Sequence, residues 1–321
     1  MKHFIRIHLA VIGLAGSLLF FNGCAGTPKA QPQSEVRNAQ PVTARIAPQP
    51  AGDPSLWPAS SPNIYAQSAI MIDANTGQTL YQKNADMPRT VASTQKLLTA
   101  LLVSRDPMDQ LILIDRADTY VEPTKLYVKA GTSYTRRQLL TAMLVHSCND
   151  AAVALARSHA GNVSAFATDM NRYAHEVGAT NSYFVNPNGL PASQHSTARD
   201  MARIAYQAYH NSTLRRIMAM PRFTFVYANG RSTAFESTNK LLSRSTIYNG
   251  MKTGYTDSSG RCLIASASYA GRDVILVQLG SKSRYIFDDA ERMLRWGLSR
   301  NSFLPVLAMQ ENAAPVVPAG S

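Results

Sequence analysis
The chain predicts an α+β domain: an antiparallel sheet flanked by helices, with strands from both ends of the sequence and a mostly helical middle. Three observations lead there. A hairpin signature occupies residues 64–83, apolar helical runs fill the chain from Ser93 to about Met218, and strand-like runs followed by one closing helix occupy residues 247–298. Strands, then helices, then strands is the order of a layered α+β fold rather than of alternating βα units.

Each element has a local reason. Ile64 to Asp73 and Gln78 to Lys83 read as strands joined through Ala74-Asn75-Thr76-Gly77, a turn sequence. Thr90-Val91-Ala92-Ser93 precedes the run Leu97 to Val103, a loop entering an apolar, buried helix. Gln138 to Val145 and Asp150 to Ala156 read as helices, which puts Ser147 in the loop between them. Ile247 to Tyr255, Arg261 to Ser268 and Asp273 to Leu279 read as strands, and Ile286 to Leu298 as the closing helix.

Three short strings fall on these elements: Ser93-Thr94-Gln95-Lys96, Ser147-Cys148-Asn149 and Lys252-Thr253-Gly254. A serine hydroxyl is a poor nucleophile at neutral pH and needs a base within hydrogen-bond reach, a proton route to the leaving group, and donors for the developing oxyanion. If Ser93 opens a helix, Lys96 lies one turn on and shares its face. A lysine is a base only when neutral, which takes burial and a second cation nearby; Lys252 is the candidate for that cation. Taken singly the strings are weak. Ser237-Thr238-Asn239-Lys240 matches both S-x-x-K and S-x-N, and Ser61-Pro62-Asn63 matches S-x-N again, whereas K-T-G occurs once. Order and placement give the trio its weight, and the trio is characteristic of penicillin-binding serine enzymes.

Further strings narrow the resemblance. Asn186-Pro187-Asn188-Gly189-Leu190, His195-Ser196-Thr197-Ala198, Asp200-Met201-Ala202, Met251-Lys252-Thr253-Gly254-Tyr255-Thr256 and Arg292-Met293-Leu294-Arg295-Trp296-Gly297 resemble the D-alanyl-D-alanine carboxypeptidase family of low-molecular-mass penicillin-binding proteins, over roughly residues 63–300. The resemblance implies a β-lactamase/transpeptidase-like fold and a serine carboxypeptidase acting on peptidoglycan stem peptides, with β-lactams as covalent inhibitors and no cofactor. It implies that Lys96 takes the proton of Ser93 and that Ser147 relays a proton to the leaving D-alanine. Asn149 would bind the substrate backbone, and the N–H groups of Ser93 and Tyr255 the oxyanion. Lys252 and Thr253 would bind the terminal carboxylate, with Gly254 also among the substrate-binding residues and Arg284 as a further candidate for the same anion. The stretch 186–202 is expected to be a structural loop leading into a helix capped near Ser196, with His195 structural.

Other activities fit less well. A β-lactamase of this type carries an E-x-x-L-N string to activate the deacylating water, and Glu176-Val177-Gly178-Ala179 does not match it. A D,D-endopeptidase would use the same residues on cross-linked stems, and sequence barely separates it from the carboxypeptidase because substrate shape is read by loops. A silent wall-binding module is disfavoured by the intact strings. The family's second β-rich domain and membrane helix are not expected, since 25 residues follow Trp296.

The N-terminus reads as export machinery. Residues 1–23 carry Lys2 and Arg6, then an apolar run from Leu9 to Phe21 too short to span a bilayer, which is a signal peptide pattern. Cys24 after Gly23 resembles the lipid-acceptor cysteine of bacterial lipoproteins, although Phe21 replaces the usual aliphatic residue; ordinary secretion is the alternative. Ala25 is not the Asp that favours inner-membrane retention, so the expected location is the periplasmic face of a membrane. Residues 24–62, with eight prolines, read as a tether reaching about 120 Å in polyproline form. Residues 301–321 show no periodicity.

The formal charge is +12, or +10 without Lys2 and Arg6. No nucleic-acid motif accompanies it, so an anionic wall polymer is the expected partner. Cys148 and Cys262 are expected to be separate buried thiols rather than a disulfide. His146, His159, His175, His195 and His210 show no metal-ligand spacing.

Overall fold
A computed structural model describes residues 57–282 and 284–300. The leader, Cys24, most of the expected tether and the segment after 300 lie outside the described residues. The packed chain begins before the expected boundary at residue 63: Trp57 is buried edge-on against Tyr269, with ring centroids 5.0 Å apart.

The elements follow the expected order. The first hairpin is β1 (Ser68–Asp73) and β2 (Thr79–Lys83); a 3₁₀ turn (Ala92–Gln95) then runs directly into α1 (Lys96–Val103). A small hairpin, β3 (Leu111–Leu113) and β4 (Ser133–Thr135), precedes α2 (Arg136–Val145), α3 (Asn149–Ala160), α4 (Val163–Glu176), α5 (Ala198–His210) and α6 (Ser212–Met218). A second hairpin, β5 (Arg222–Val226) and β6 (Ser232–Glu236), leads to β7 (Tyr248–Thr256), β8 (Gly260–Tyr269), β9 (Arg272–Ser281) and α7 (Ile286–Leu298). The main sheet is antiparallel, with strand order β2-β1-β9-β8-β7. β7, which carries K-T-G, is therefore at its edge.

Three expectations are amended. β1 starts at Ser68 rather than Ile64; Ile64 is still buried, and its carbonyl accepts from Lys83 Nζ at 3.0 Å. The two small hairpins add strands to the chain around the helical middle. The cap of α5 is Thr197, whose side chain accepts from the Asp200 N–H at 3.0 Å, while Ser196 pairs with Arg89 through backbone bonds.

Strand period divides the core in two. Ile70 and Ile72 face the helical middle, whereas Ala69 and Met71 face α7, where Met293, Leu294 and Trp296 pack. The side chain of Asp73 closes the β1–β2 turn by accepting from the N–H groups of Asn75 and Thr76 at 2.7 and 2.8 Å. α2 opens on a capping box between Thr135 and Gln138, and Asn162 and Asn211 cap α4 and α6.

All eight residues of α1 are buried, so the helix that begins at Lys96 is enclosed by protein on every side. That encloses the lysine too. Leu98 has no exposed surface. Leu98→Ala should lower unfolding free energy by about 2–5 kcal/mol, read as a shift of the urea midpoint at unchanged slope. A loss below about 1 kcal/mol would show that α1 is not the packed centre of the domain.

Candidate active site
The three strings meet in one cleft of about 470 Å³, lined by Ser93, Ser147, Asn149, Thr253, Gly254 and Tyr255 among others. Ser93 sits in the 3₁₀ turn that opens α1, and Lys96 is the first residue of the α-helix proper. The three-residue offset brings Nζ of Lys96 to 2.7 Å from Oγ of Ser93. The same Nζ lies 2.7 Å from Oδ1 of Asn149 and 2.6 Å from the carbonyl oxygen of Asn188.

Those three neighbours suit an uncharged amine. A neutral amine has two N–H donors and one lone pair, and two of its partners are carbonyl oxygens that only accept. A neutral amine that donates to both has its lone pair left to take a proton from Ser93, whose hydroxyl here donates to the Asn188 carbonyl at 3.1 Å. Lys96 has no exposed surface, and burial, then the charge of Lys252, hold its pKa well below the ordinary lysine value. Lys252 is 1 % exposed and burial brings it down to about 7. Its Nζ donates to Ser147 Oγ and to the carbonyl of Thr253, both at 2.9 Å.

Ser147 stands in the loop between α2 and α3 with φ +68°, and Ala92, just before the nucleophile, has φ +48°. The left-handed region costs a non-glycine residue roughly 1–2 kcal/mol, and here it presents Ser93 and Ser147 to the cleft. Asp150, in the first turn of α3, accepts from the N–H groups of Leu126 and Tyr127 at 3.0 and 2.9 Å and from Ala151 at 2.9 Å. Burial raises its pKa against those bonds. Together with Asn149 N–H to the Thr124 carbonyl at 2.7 Å, this anchors the segment from which Pro123 and Thr124 line the cleft.

Several placements differ from the sequence reading. Asn149 directs Oδ1 to Lys96 and Nδ2 to the Glu122 carbonyl at 2.8 Å, so both ends of its amide are engaged by protein. Lys252 does not line the cleft; it lies beneath Ser147 and Thr253. Arg284 is exposed, donates to the Tyr285 hydroxyl at 2.9 Å and does not line the cleft, whereas Arg261 does. The 186–202 stretch is more than a linker. Its carbonyls at Asn186, Pro187 and Asn188 accept from Gln95, Thr99 and Lys96 at 2.5, 2.6 and 2.6 Å. A Cβ on Gly189 would come within 2.1 Å of the Ala92 carbonyl oxygen, and one on Gly254 within 2.9 Å of the Ser93 nitrogen. Only glycine lets those two backbones close on the turn that carries Ser93.

Residues that sequence reasoning passed over also belong here. The string Ser237-Thr238-Asn239-Lys240, read as a chance match, supplies Thr238 and Lys240 to the cleft. Thr253 Oγ1 donates to Thr238 Oγ1 at 2.6 Å, and Asn239 Nδ2 to the Gly250 carbonyl at 2.7 Å. His195 is exposed and pairs with Tyr183 through backbone bonds, a structural placement. Cys148 and Cys262 are free buried thiols, both with pKa pushed up by burial, Cys262 to about 11. Among the described residues no cluster of His, Cys, Asp and Glu is arranged to hold a metal.

A serine with a buried lysine one turn away, backed by a second lysine and a second serine, defines a serine acyl-transferase of the penicillin-binding class. Residues 57–283 match the family model described as D-alanyl-D-alanine carboxypeptidase, and the chain belongs to that family. A D-alanyl-D-alanine endopeptidase of Pseudomonas aeruginosa is 34 % identical over 235 residues, covering 71 % of this chain and 76 % of that protein. The crystal structure of a D-alanyl-D-alanine carboxypeptidase from Mycobacterium tuberculosis superposes with TM-score 0.73 at 32 % identity, covering 79 % of this chain and 97 % of the other. The Streptomyces K15 DD-transpeptidase does so with TM-score 0.71 at 31 % identity, covering 75 % and 100 %. The fold is thus transpeptidase-like.

The buried lysines set a pH dependence of stability. Below pH 7 Lys252 is protonated both folded and unfolded, and the full cost of burying its charge is present. From about pH 7 to the unfolded value the unfolded chain holds more protons, so stability rises with pH. Lys252→Met should be more stable than the parent at pH 6, and the gap should narrow by pH 10 in urea denaturation. A gap independent of pH would mean that Lys252 carries no depressed pKa.

Proposed function
We propose that the protein hydrolyses the terminal D-alanine from peptidoglycan stem peptides as a serine D-Ala-D-Ala carboxypeptidase, with Ser93 as nucleophile and Lys96 as its base. The observation that carries this reading is the Lys96 Nζ to Ser93 Oγ contact of 2.7 Å at an amine whose pKa burial, and then Lys252, hold well below the ordinary lysine value. Lys96 takes the hydroxyl proton as Ser93 Oγ bonds to the carbonyl carbon of the penultimate D-alanine. The N–H groups of Ser93 and Tyr255 receive the oxyanion; removing one such donor typically costs about 3 kcal/mol. The C–N bond then breaks, the departing amine takes a proton relayed through Ser147, and water hydrolyses the ester.

Asn149 acts as a positioning residue for Lys96 through Oδ1. The terminal carboxylate meets Thr253, with the charge of Lys252 beneath it. Gly254 lets β7 close on the backbone of the turn that carries Ser93. A β-lactam acylates the same serine and, without a carboxylate placed to activate water, stays on it. Labelled penicillin should therefore modify the protein at Ser93 and persist, with no label in Ser93→Ala. A peptide ending in D-Ala-D-Ala should release D-alanine, and Lys96→Met should lower that rate by at least about 100-fold. Persistent labelling of Ser93→Ala would overturn the assignment.

A second reading, D,D-endopeptidase, is favoured by the name of the Pseudomonas aeruginosa relative. For location, the basic leader, short apolar run and Cys24 support export, with a lipid at Cys24 and residues 24–62 as the tether to the catalytic domain. Among the described residues no helix is long and apolar enough to cross a membrane. Cells fed a tagged fatty acid should label the parent protein and not Cys24→Ser. Equal labelling of both would place any lipid elsewhere.

A further inference from the structure
One wall of the cleft is β7, and another is the segment that supplies Pro123 and Thr124. That segment is fastened to the start of α3: Asn149 donates through Nδ2 to the Glu122 carbonyl and through its backbone N–H to the Thr124 carbonyl, at 2.8 and 2.7 Å. Tyr120 and Tyr127 flank it in the chain. At 71 % and 69 % exposure they are the two most solvent-exposed large apolar side chains among the described residues.

A single exposed aromatic residue needs no explanation, but this pair is held outward by built structure. Tyr127 has φ +58°, a left-handed conformation that is costly for a bulky residue. Its N–H donates to Asp150 Oδ2 at 2.9 Å, so the first turn of α3 keeps it there. Tyr120 ends the turn 117–119, whose Asp118 has no exposed surface and pairs with Arg157 of α3 at 2.7 Å. The two tyrosines adjoin through Lys125, whose Nζ donates to the Thr119 carbonyl at 3.2 Å and lies 5.3 Å from the centre of the Tyr127 ring. Arg116 donates to the Tyr120 hydroxyl at 2.8 Å. From the end of β5, the Tyr227 hydroxyl donates to the Leu126 carbonyl at 2.9 Å and braces the same segment. One helix thus anchors both rings and also carries Asn149 at its first position.

We propose that Tyr120 and Tyr127 form a stacking platform for the sugar strand that carries the stem peptide. The inference rests on the reading in which that peptide acylates Ser93 with its terminal carboxylate at Thr253. The acyl half then extends away from Thr253, and within a few residues, each spanning about 3.5 Å, it joins the strand. Sugar rings present patches of polarised C–H groups between hydroxyls. The negative face of a tyrosine ring attracts the first, and its hydroxyl end suits the second. Rings already fixed outward by the backbone lose little freedom when a sugar covers them. The platform therefore favours stems still borne on glycan over free peptides, and the bonds made and broken at Ser93 are unchanged.

The test uses the mature chain and one peptide ending in D-Ala-D-Ala, offered free and carried on a short strand of N-acetylated amino sugars. Release of D-alanine from the strand-borne peptide should exceed release from the free one by roughly ten-fold in kcat/KM, mostly through KM. In Tyr120→Ala/Tyr127→Asn that ratio should fall towards one; asparagine is chosen because it accepts a left-handed φ, and penicillin labelling of Ser93 reports an intact fold. Tyr120→Phe/Tyr127→Phe, which keeps both rings, should retain the parent's ratio. A parent enzyme that treats the two substrates alike, or a ringless variant that keeps the parent's ratio, overturns the platform. Failure of the catalytic reading is distinct, since then neither Ser93 labelling nor D-alanine release occurs in the parent.

Discussion

The site depends on burying one amine so deeply that its pKa falls well below the ordinary lysine value. Water would return a proton to Lys96, so α1 is wrapped completely, and its first residue is the only ionisable one it contains. Two carbonyl oxygens, from Asn149 and Asn188, occupy the N–H bonds that a neutral amine retains. Lys252 adds repulsion from below without entering the cleft. Each contribution would be a defect in a protein selected for stability alone. Together they hold down the pKa of a buried lysine that lies against a serine hydroxyl.

Geometry around the amine is enforced by backbone more than by side chains. Gly189 and Gly254 bring two chain segments against the turn carrying Ser93, and the left-handed residues Ala92 and Ser147 set the approach of the two serines. The carbonyls of 186–188 fasten the loop to α1 through Gln95, Lys96 and Thr99. Strain at Ala92 and Ser147 is tolerable because the enclosing helices and the five-stranded sheet overdetermine their positions.

Much of this was legible in the sequence, for identifiable reasons. Ser93 and Lys96 share a helix face by arithmetic, and Ile286 to Leu298 forms the closing helix because its apolar stripe has helical period. The hairpin β5–β6 was also legible: Asn229-Gly230 between alternating runs is a turn signature, and it went unread. The role of Asn188 was not legible, since a main-chain carbonyl leaves no mark in residue identity. Nor was the presence of Arg261 in the cleft lining, which follows from its register opposite Tyr255. Thr238 and Lys240 sat in a string that matched too many patterns to be informative. Its meaning came from the hydrogen bond to Thr253.

The strand order has a temporal consequence. β1 lies between β2 and β9, so Ser68 faces Leu279, and the nucleophile's turn abuts Gly254 from the last third of the chain. Contacts so distant in sequence form late in folding. Before they form, Lys96 is open to solvent and keeps its proton, and Ser93 is an ordinary alcohol. A partly folded chain therefore lacks the enclosure that lowers the Lys96 pKa, and that enclosure arrives only when the C-terminal strands shut over the helix.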